Sequence, residues 1–152
     1  MITVGFDQST TKTGYAVFND MKLIDYGLIN LDGDHNTPRR IKTMFLSIRD
    51  IIDKYHANFV VAEADFFKQN KKTMLMLSQL QGMIIGYAYA NRLDVSSPLP
   101  SEWRKSLGFK QGKTEDRASE KQQAIDLIKR TFGIEASEDE CEAIALTYAM
   151  LL

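Results

Sequence analysis

Apolar residues along the chain fall into two kinds of run, short β-branched blocks near the N-terminus and around residue 60, and longer stretches at helical spacing elsewhere. Ile2-Thr3-Val4-Gly5-Phe6 has the length and composition of a buried strand and ends in an acid, Asp7. Ser9-Thr10-Thr11-Lys12-Thr13-Gly14 has the composition of a turn that bonds to its own backbone, and the apolar pattern resumes at Tyr15–Phe18. Leu23–Leu31 follows across the turn-forming pair Asn19-Asp20, which predicts an antiparallel meander of three strands.

Beyond the polar loop 32–38 the period changes. Ile41, Met44, Phe45, Ile48, Ile51 and Ile52 recur at helical spacing between Arg39 and Tyr55, with Thr37 as the expected N-cap and Pro38 in the first turn. Phe59-Val60-Val61-Ala62 is a second short buried strand, and it too ends in an acid, Glu63. The following loop, Ala64 to Lys72, combines Phe66 and Phe67 with Lys68, Lys71 and Lys72. Met74–Asn91 reads as a helix with a wide apolar face, along which Gly82, Gly86 and Ala90 repeat every fourth residue. Such a line lets another backbone approach closely, the protein's own sheet or a second copy in a homodimer, and both can hold on opposite sides of the helix. Leu93–Leu99 is the expected last strand, and Ser101 to Lys105 a capped helical turn. An amphipathic helix from about Glu115 to Phe132 is terminated by Gly133, and Ser137 with Glu140 gives the last helix its capping box.

The predicted fold is α/β, a mixed sheet with antiparallel first three strands flanked by helices, in one domain spanning residues 1–152. If the two acid-ended strands run parallel and adjacent, Asp7 and Glu63 meet at the carboxyl edge of the sheet, where open sheets place their sites. Asp139 and Glu142 lie three apart and share one face of the last helix's first turn.

Composition narrows the setting. With 152 residues, 44% apolar and 26% charged, the chain is of the size of one domain and too apolar for disorder. The single Cys141 cannot form an internal disulfide, and neither a secretory signal pattern nor a membrane-length apolar run is visible, so a cytoplasmic location without membrane contact is expected. Net charge is −1, so any nucleic-acid contact must come from local patches. Residues 102–130 form one, with eight basic residues against five acidic. Most of these line an ordinary charged helix; Arg104, Lys113 and Lys121 are the candidates for touching a polyanion, with Lys105 and Lys110 beside them.

Carboxylates brought together repel one another unless a cation or protons neutralise them. Asp7, Glu63, Asp139 and Glu142 supply four oxygen donors with no His or Cys nearby in sequence apart from Cys141, the ligand set of Mg²⁺, with Mn²⁺ able to substitute, rather than of zinc. A pair of such ions activates water and stabilises the leaving oxygen in phosphodiester hydrolysis.

Gly5-Phe6-Asp7 with Gly14 after the turn, Val61-Ala62-Glu63 followed by Phe66, and Asp139-Glu140-Cys141-Glu142-Ala143-Ile144-Ala145-Leu146-Thr147 resemble, in order and spacing, the motifs of RuvC-like Holliday-junction resolvases. The resemblance runs from Ile2 to Thr147 and implies a ribonuclease H-like fold, a homodimer with two active sites, and Mg²⁺-dependent paired nicking of branched DNA that leaves ligatable 5′-phosphate ends. It implies Asp7, Glu63, Asp139 and Glu142 as ligands of two ions per site, Phe66 as an aromatic that stacks into the opened junction, and Arg104 and Lys121 as basic residues at the cleaved strand, Lys121 with a catalytic part. Phe67, Lys68, Lys71, Lys72, Lys105, Lys110 and Lys113 would line the DNA around them. Trp103 is expected to anchor its short helix in the core. Two departures stand out: Gln8-Ser9 where bacterial members usually carry Pro-Gly, and Glu142 where they usually carry Asp. With the small size, these resemble phage-encoded members, which would extend the substrates to forks and place the protein in a host cytoplasm.

Two other readings share the same residues. Phe6-Asp7-Gln8-Ser9-Thr10-Thr11 also resembles the first phosphate-binding turn of sugar kinases and actin-like ATPases, but the chain lacks the length for a second lobe and a second Gly-rich loop, so no nucleotide cofactor is expected. A junction-binding scaffold that does not cleave would keep the basic loops and have no need of four carboxylates.

Overall fold

Strand β1 (Ile2–Asp7) runs through the middle of a five-stranded sheet ordered β3-β2-β1-β4-β5, in a computed structural model that describes residues 1–64, 70–112 and 116–152. It pairs antiparallel with β2 (Lys12–Asn19), which pairs antiparallel with β3 (Lys22–Asn30), and on its other side parallel with β4 (Phe59–Ala62). The meander is therefore as its apolar runs predict. The strand expected over Leu93–Leu99 is shorter: β5 is Asp94–Ser96, parallel to β4 at the edge of the sheet. Pro98 and Pro100 bracket its continuation, where proline withholds the N–H a ladder needs.

Helices cover both faces. Helix α1 (Thr37–Lys54) and helix α2 (Lys71–Ala90) pack on one, where Met44, Ile48, Leu80 and Ile84 meet Val4, Phe6 and Val60. Helix α3 (Pro100–Ser106), helix α4 (Arg117–Phe132) and helix α5 (Glu138–Leu151) cover the other, over Ala16, Phe18 and Val61. The cap of α1 is Asn36 rather than Thr37: its side chain accepts from Arg39 N–H at 3.1 Å, and Thr37 and Pro38 become the first two helical residues. Helix α2 starts earlier than its apolar pattern, capped by Asn70 through Thr73 N–H, so Lys71 and Lys72 belong to its first turn and not to the loop. Asp116 caps α4, Gly133 ends it at φ 68°, and Ser137 caps α5 through Glu140 N–H.

Helix α5 is the most enclosed element, buried without interruption from Cys141 to Thr147. It lies across β1 and β2, and two glycines let it come so close: a Cβ on Gly5 would meet Thr147 Oγ1 at 1.7 Å, and one on Gly14 would meet the Asp139 carbonyl oxygen at 2.1 Å. Among the described residues no helix is long and apolar enough to cross a membrane.

Candidate active site

The parallel pairing of β1 with β4 puts Phe6 opposite Ala62, so the residues that follow, Asp7 and Glu63, end neighbouring strands at the same edge. Glu63 N–H reaches the Phe6 carbonyl at 3.4 Å, which ties the start of the loop to β1. Gly14, the partner of Asp7 in the β1–β2 ladder, is also the residue beneath the Asp139 carbonyl, so the ladder sets the first turn of α5 beside Asp7. One turn on, Glu142 is buried. The sheet edge and the helix start thus gather all four predicted carboxylates.

Their electrostatics shows the gathering. The Asp7 carboxyl is raised well above its ordinary 3.8, by burial first, then by the charge of Glu63, of Glu142, by a hydrogen bond shared with Glu63, and by Asp139. Burial also raises Glu142, against the lowering pull of Arg104. Negative charge is concentrated here at a cost that a bound cation removes. The donor set is all oxygen, suits a hard divalent ion, and in that respect fits the residues present. Among the described residues no three acidic, histidine or cysteine side chains already stand in chelating geometry. Both glutamates are turned to neighbours on α3: Trp103 Nε1–H donates to Glu63 Oε1 at 2.8 Å, and Arg104 Nη2 lies 3.2 Å from Glu142 Oε2.

The basic residues divide. Arg104, expected at the cleaved strand, is held between Glu142 and Glu120, 3.5 Å from the latter, with its guanidinium over the Trp103 ring. Lys121 pairs with Glu138 at 3.0 Å, close enough to the carboxylates for its charge to lower Glu142. Lys71, Lys72, Lys105 and Lys110 are exposed. Phe66, Phe67, Lys68 and Lys113 lie outside the described residues.

Gln8, directly after the first acid, has a role composition does not reveal. Its side-chain amide donates to the Glu63 carbonyl at 2.6 Å, and Gln81 from α2 reaches the same oxygen at 3.3 Å. The main chain at Glu63 is thereby pinned from two elements. The hydroxyls of the neighbouring turn are committed locally: Ser9 Oγ accepts from Thr11 and Lys12 N–H and donates to the Lys12 carbonyl, while Thr13 Oγ1 donates to the Ser9 carbonyl. That local network leaves the turn poorly suited to cradling phosphates.

The sequence matches the family model described as "Crossover junction endodeoxyribonuclease RuvC" over residues 3–150. The chain belongs to the RuvC family. A curated RuvC from Dictyoglomus thermophilum is 30% identical over 150 residues, covering 96% of this chain and 93% of that protein. Its counterpart from Dictyoglomus turgidum is 32% identical over 111 residues, 70% of each. Neither relative supports the expected likeness to phage-encoded members. The fold is that of the solved Thermus thermophilus RuvC in complex with Holliday junction substrate, with TM-score 0.78 at 13% identity over 98% of this chain and 92% of that one. Fowlpox virus resolvase, solved with Holliday junction DNA, has TM-score 0.70 at 19% identity, covering 99% and 97%. The ribonuclease H-like architecture expected from the motifs is the one observed.

Proposed function

We propose that this RuvC-family chain is a metal-dependent endonuclease that resolves Holliday junctions by paired phosphodiester hydrolysis, with Asp7, Glu63, Asp139 and Glu142 as its active site. The observation that carries the reading is the parallel pairing of β1 with β4 and the seating of α5 on Gly14, which bring Asp7, Glu63 and the first turn of α5 to one edge, in a chain that matches the RuvC family over residues 3–150. Carboxylates of a non-cleaving scaffold have no reason to be driven together against their own repulsion.

The four carboxylates would hold Mg²⁺ or Mn²⁺, two ions per site. Bound there, the ions supply Lewis acidity at the scissile phosphate and a more acidic water for its hydrolysis. The chain's own residues do the rest. Gln8 and Gln81 fix the Glu63 backbone, the Gly14 contact fixes the first turn of α5, and Arg104 supplies positive charge beside Glu142. Lys121 would assist at the cleaved strand, and Lys71, Lys72, Lys105 and Lys110 would hold flanking phosphates; Phe66, Phe67, Lys68 and Lys113, outside the described residues, are further proposed DNA contacts. Forks would be further substrates of the same surface, and the bacterial relatives support a cytoplasmic site of action.

Two opposed incisions need two sites, which a homodimer supplies. The face of α2 that carries Gly82, Gly86 and Ala90 suits it: all three are exposed, nothing lies within 4 Å of a Cβ built at either glycine, and Leu75 and Tyr89 stand exposed on the same helix. The alternative expectation, that this line packs on the protein's own sheet, is corrected by the structure, because Leu80, Ile84 and Ala88 occupy that inner face. The test of the whole reading is incision of a four-way junction against a matched linear duplex, in Mg²⁺ and in EDTA. Metal-dependent nicks confined to the junction support it, and tight binding without incision in Mg²⁺ overturns it in favour of a scaffold.

A further inference from the structure

We propose that Trp103 is a positioning residue for Glu63, its indole N–H fixing one carboxylate oxygen so that the group faces Asp7 and the cation site. The inference rests on the reading of Glu63 as a metal ligand. Trp103 is 1% exposed, and its Nε1–H lies 2.8 Å from Glu63 Oε1, on a residue 40 positions away in sequence. A buried indole N–H needs an acceptor, and this one has chosen a carboxylate.

The indole is itself held rigidly. Phe109 meets its ring edge-on at 6.1 Å between centroids, and the Arg104 guanidinium covers it at 4.8 Å. Helix α3 is anchored at its start by Glu102, which accepts from Leu99 N–H at 2.8 Å. On the other side, Gln8 and Gln81 immobilise the Glu63 main chain through its carbonyl. Backbone and carboxylate of Glu63 are therefore fixed independently, the first by two amides and the second by Trp103.

The chemistry of the donor matters. Indole N–H is neutral, donates only, and cannot ionise, so it orients a carboxylate without bringing a positive charge that competes with a cation. Glu142 is held in the opposite way, by the charged guanidinium of Arg104. One seven-residue helix thus supplies a neutral brace to one carboxylate and a cationic one to another. Outer partners that orient metal ligands contribute about 10–100-fold to metal affinity or activity.

Two variants of the full-length protein separate the N–H from the packing: Trp103→Phe, and replacement of Trp103 by β-(3-benzothienyl)alanine, which keeps the bicyclic volume with sulfur in place of N–H. The readouts are calorimetric titration with Mg²⁺ and Mn²⁺, thermal melting, and junction incision as a function of metal concentration. Because Trp103 is the chain's only tryptophan, its emission reports directly on the bond in the wild type. Expected are a change of emission on Mn²⁺ binding that Glu63→Gln abolishes, metal affinity about tenfold or more weaker in the benzothienyl protein at unchanged melting temperature, and incision recovered by excess metal. Wild-type metal affinity in the benzothienyl protein overturns the role of Trp103 and leaves the nuclease reading intact. Absence of Mg²⁺ and Mn²⁺ binding by the wild type overturns both.

Discussion

Gly5 and Thr147 touch at a point where no larger side chain fits, since a Cβ on Gly5 would lie 1.7 Å from Thr147 Oγ1. Thr147 cannot easily turn away, because its hydroxyl donates to the Ala143 carbonyl at 2.6 Å inside a buried helix. Gly5→Ala is therefore expected to lower stability by about 1–3 kcal/mol or more through overpacking, and Gly5→Ala combined with Thr147→Ala to recover part of it. Additive losses in denaturant unfolding of the single and double variants would contradict the contact.

At Gly14 the neighbour is backbone. The added methyl of Gly14→Ala would meet the Asp139 carbonyl at 2.1 Å, and no side chain can be trimmed to make room. The start of α5 must move, and Asp139 and Glu142 with it. Incision is expected to fall much further than stability, measured as initial rate beside the melting temperature of the same preparation.

How far the site was legible in the sequence follows from how local its causes are. Asp7 and Glu63 could be read because each closes a short β-branched run, and the parallel pairing that joins them is the ordinary arrangement of such strands. The approach of α5 could not be read, because nothing in a strand glycine tells whether a helix presses on it. Trp103 could be recognised as a core residue but not as the donor to a carboxylate 40 residues away, nor Arg104 as the partner of one 38 residues away. The cap of α1 shows the limit even for local signals, since Asn36 and Thr37 are both good caps and only the backbone path decides between them.

The Asp7 carboxyl sets a pH dependence of the metal-free protein. Its folded value is raised, so the folded state binds its proton more tightly than the unfolded chain does. The stability linked to that proton is fully present below the ordinary 3.8 and is lost as pH rises through the raised folded value, and burial gives Glu142 the same sign. In EDTA, Asp7→Asn is expected to melt above the wild type at neutral pH, with the gap closing toward pH of about 4. Equal melting profiles across that range would contradict the strained cluster.

Arg104 is mostly buried between Glu142 and Glu120. Removing it with Arg104→Ala strands the Glu142 carboxylate, at a cost of roughly 2 kcal/mol in the metal-free protein. Saturating Mg²⁺ is expected to restore much of that stability by supplying the missing positive charge, seen as a larger metal-induced rise in melting temperature than the wild type shows. An unchanged rise would contradict the placement of the ion at Glu142.

Gly86 faces open space, so Gly86→Leu leaves the protomer's own packing alone. The variant is expected to keep its melting behaviour at low protein concentration and to lose dimer in sedimentation equilibrium. A fully dimeric Gly86→Leu protein would remove this face of α2 from the interface.

Paired hydrolysis by a homodimer with one four-carboxylate site in each protomer is tested most directly by mapping incisions in a synthetic immobile four-way junction, with wild type and Asp7→Asn, in Mg²⁺ and in EDTA, followed by DNA ligase. Symmetric nicks are expected on opposed strands near the branch point, only with wild type and Mg²⁺, yielding duplexes that ligase seals, while Asp7→Asn binds the junction without cutting it. Incision by Asp7→Asn at the wild-type rate, or equal cutting of linear duplex, would contradict it.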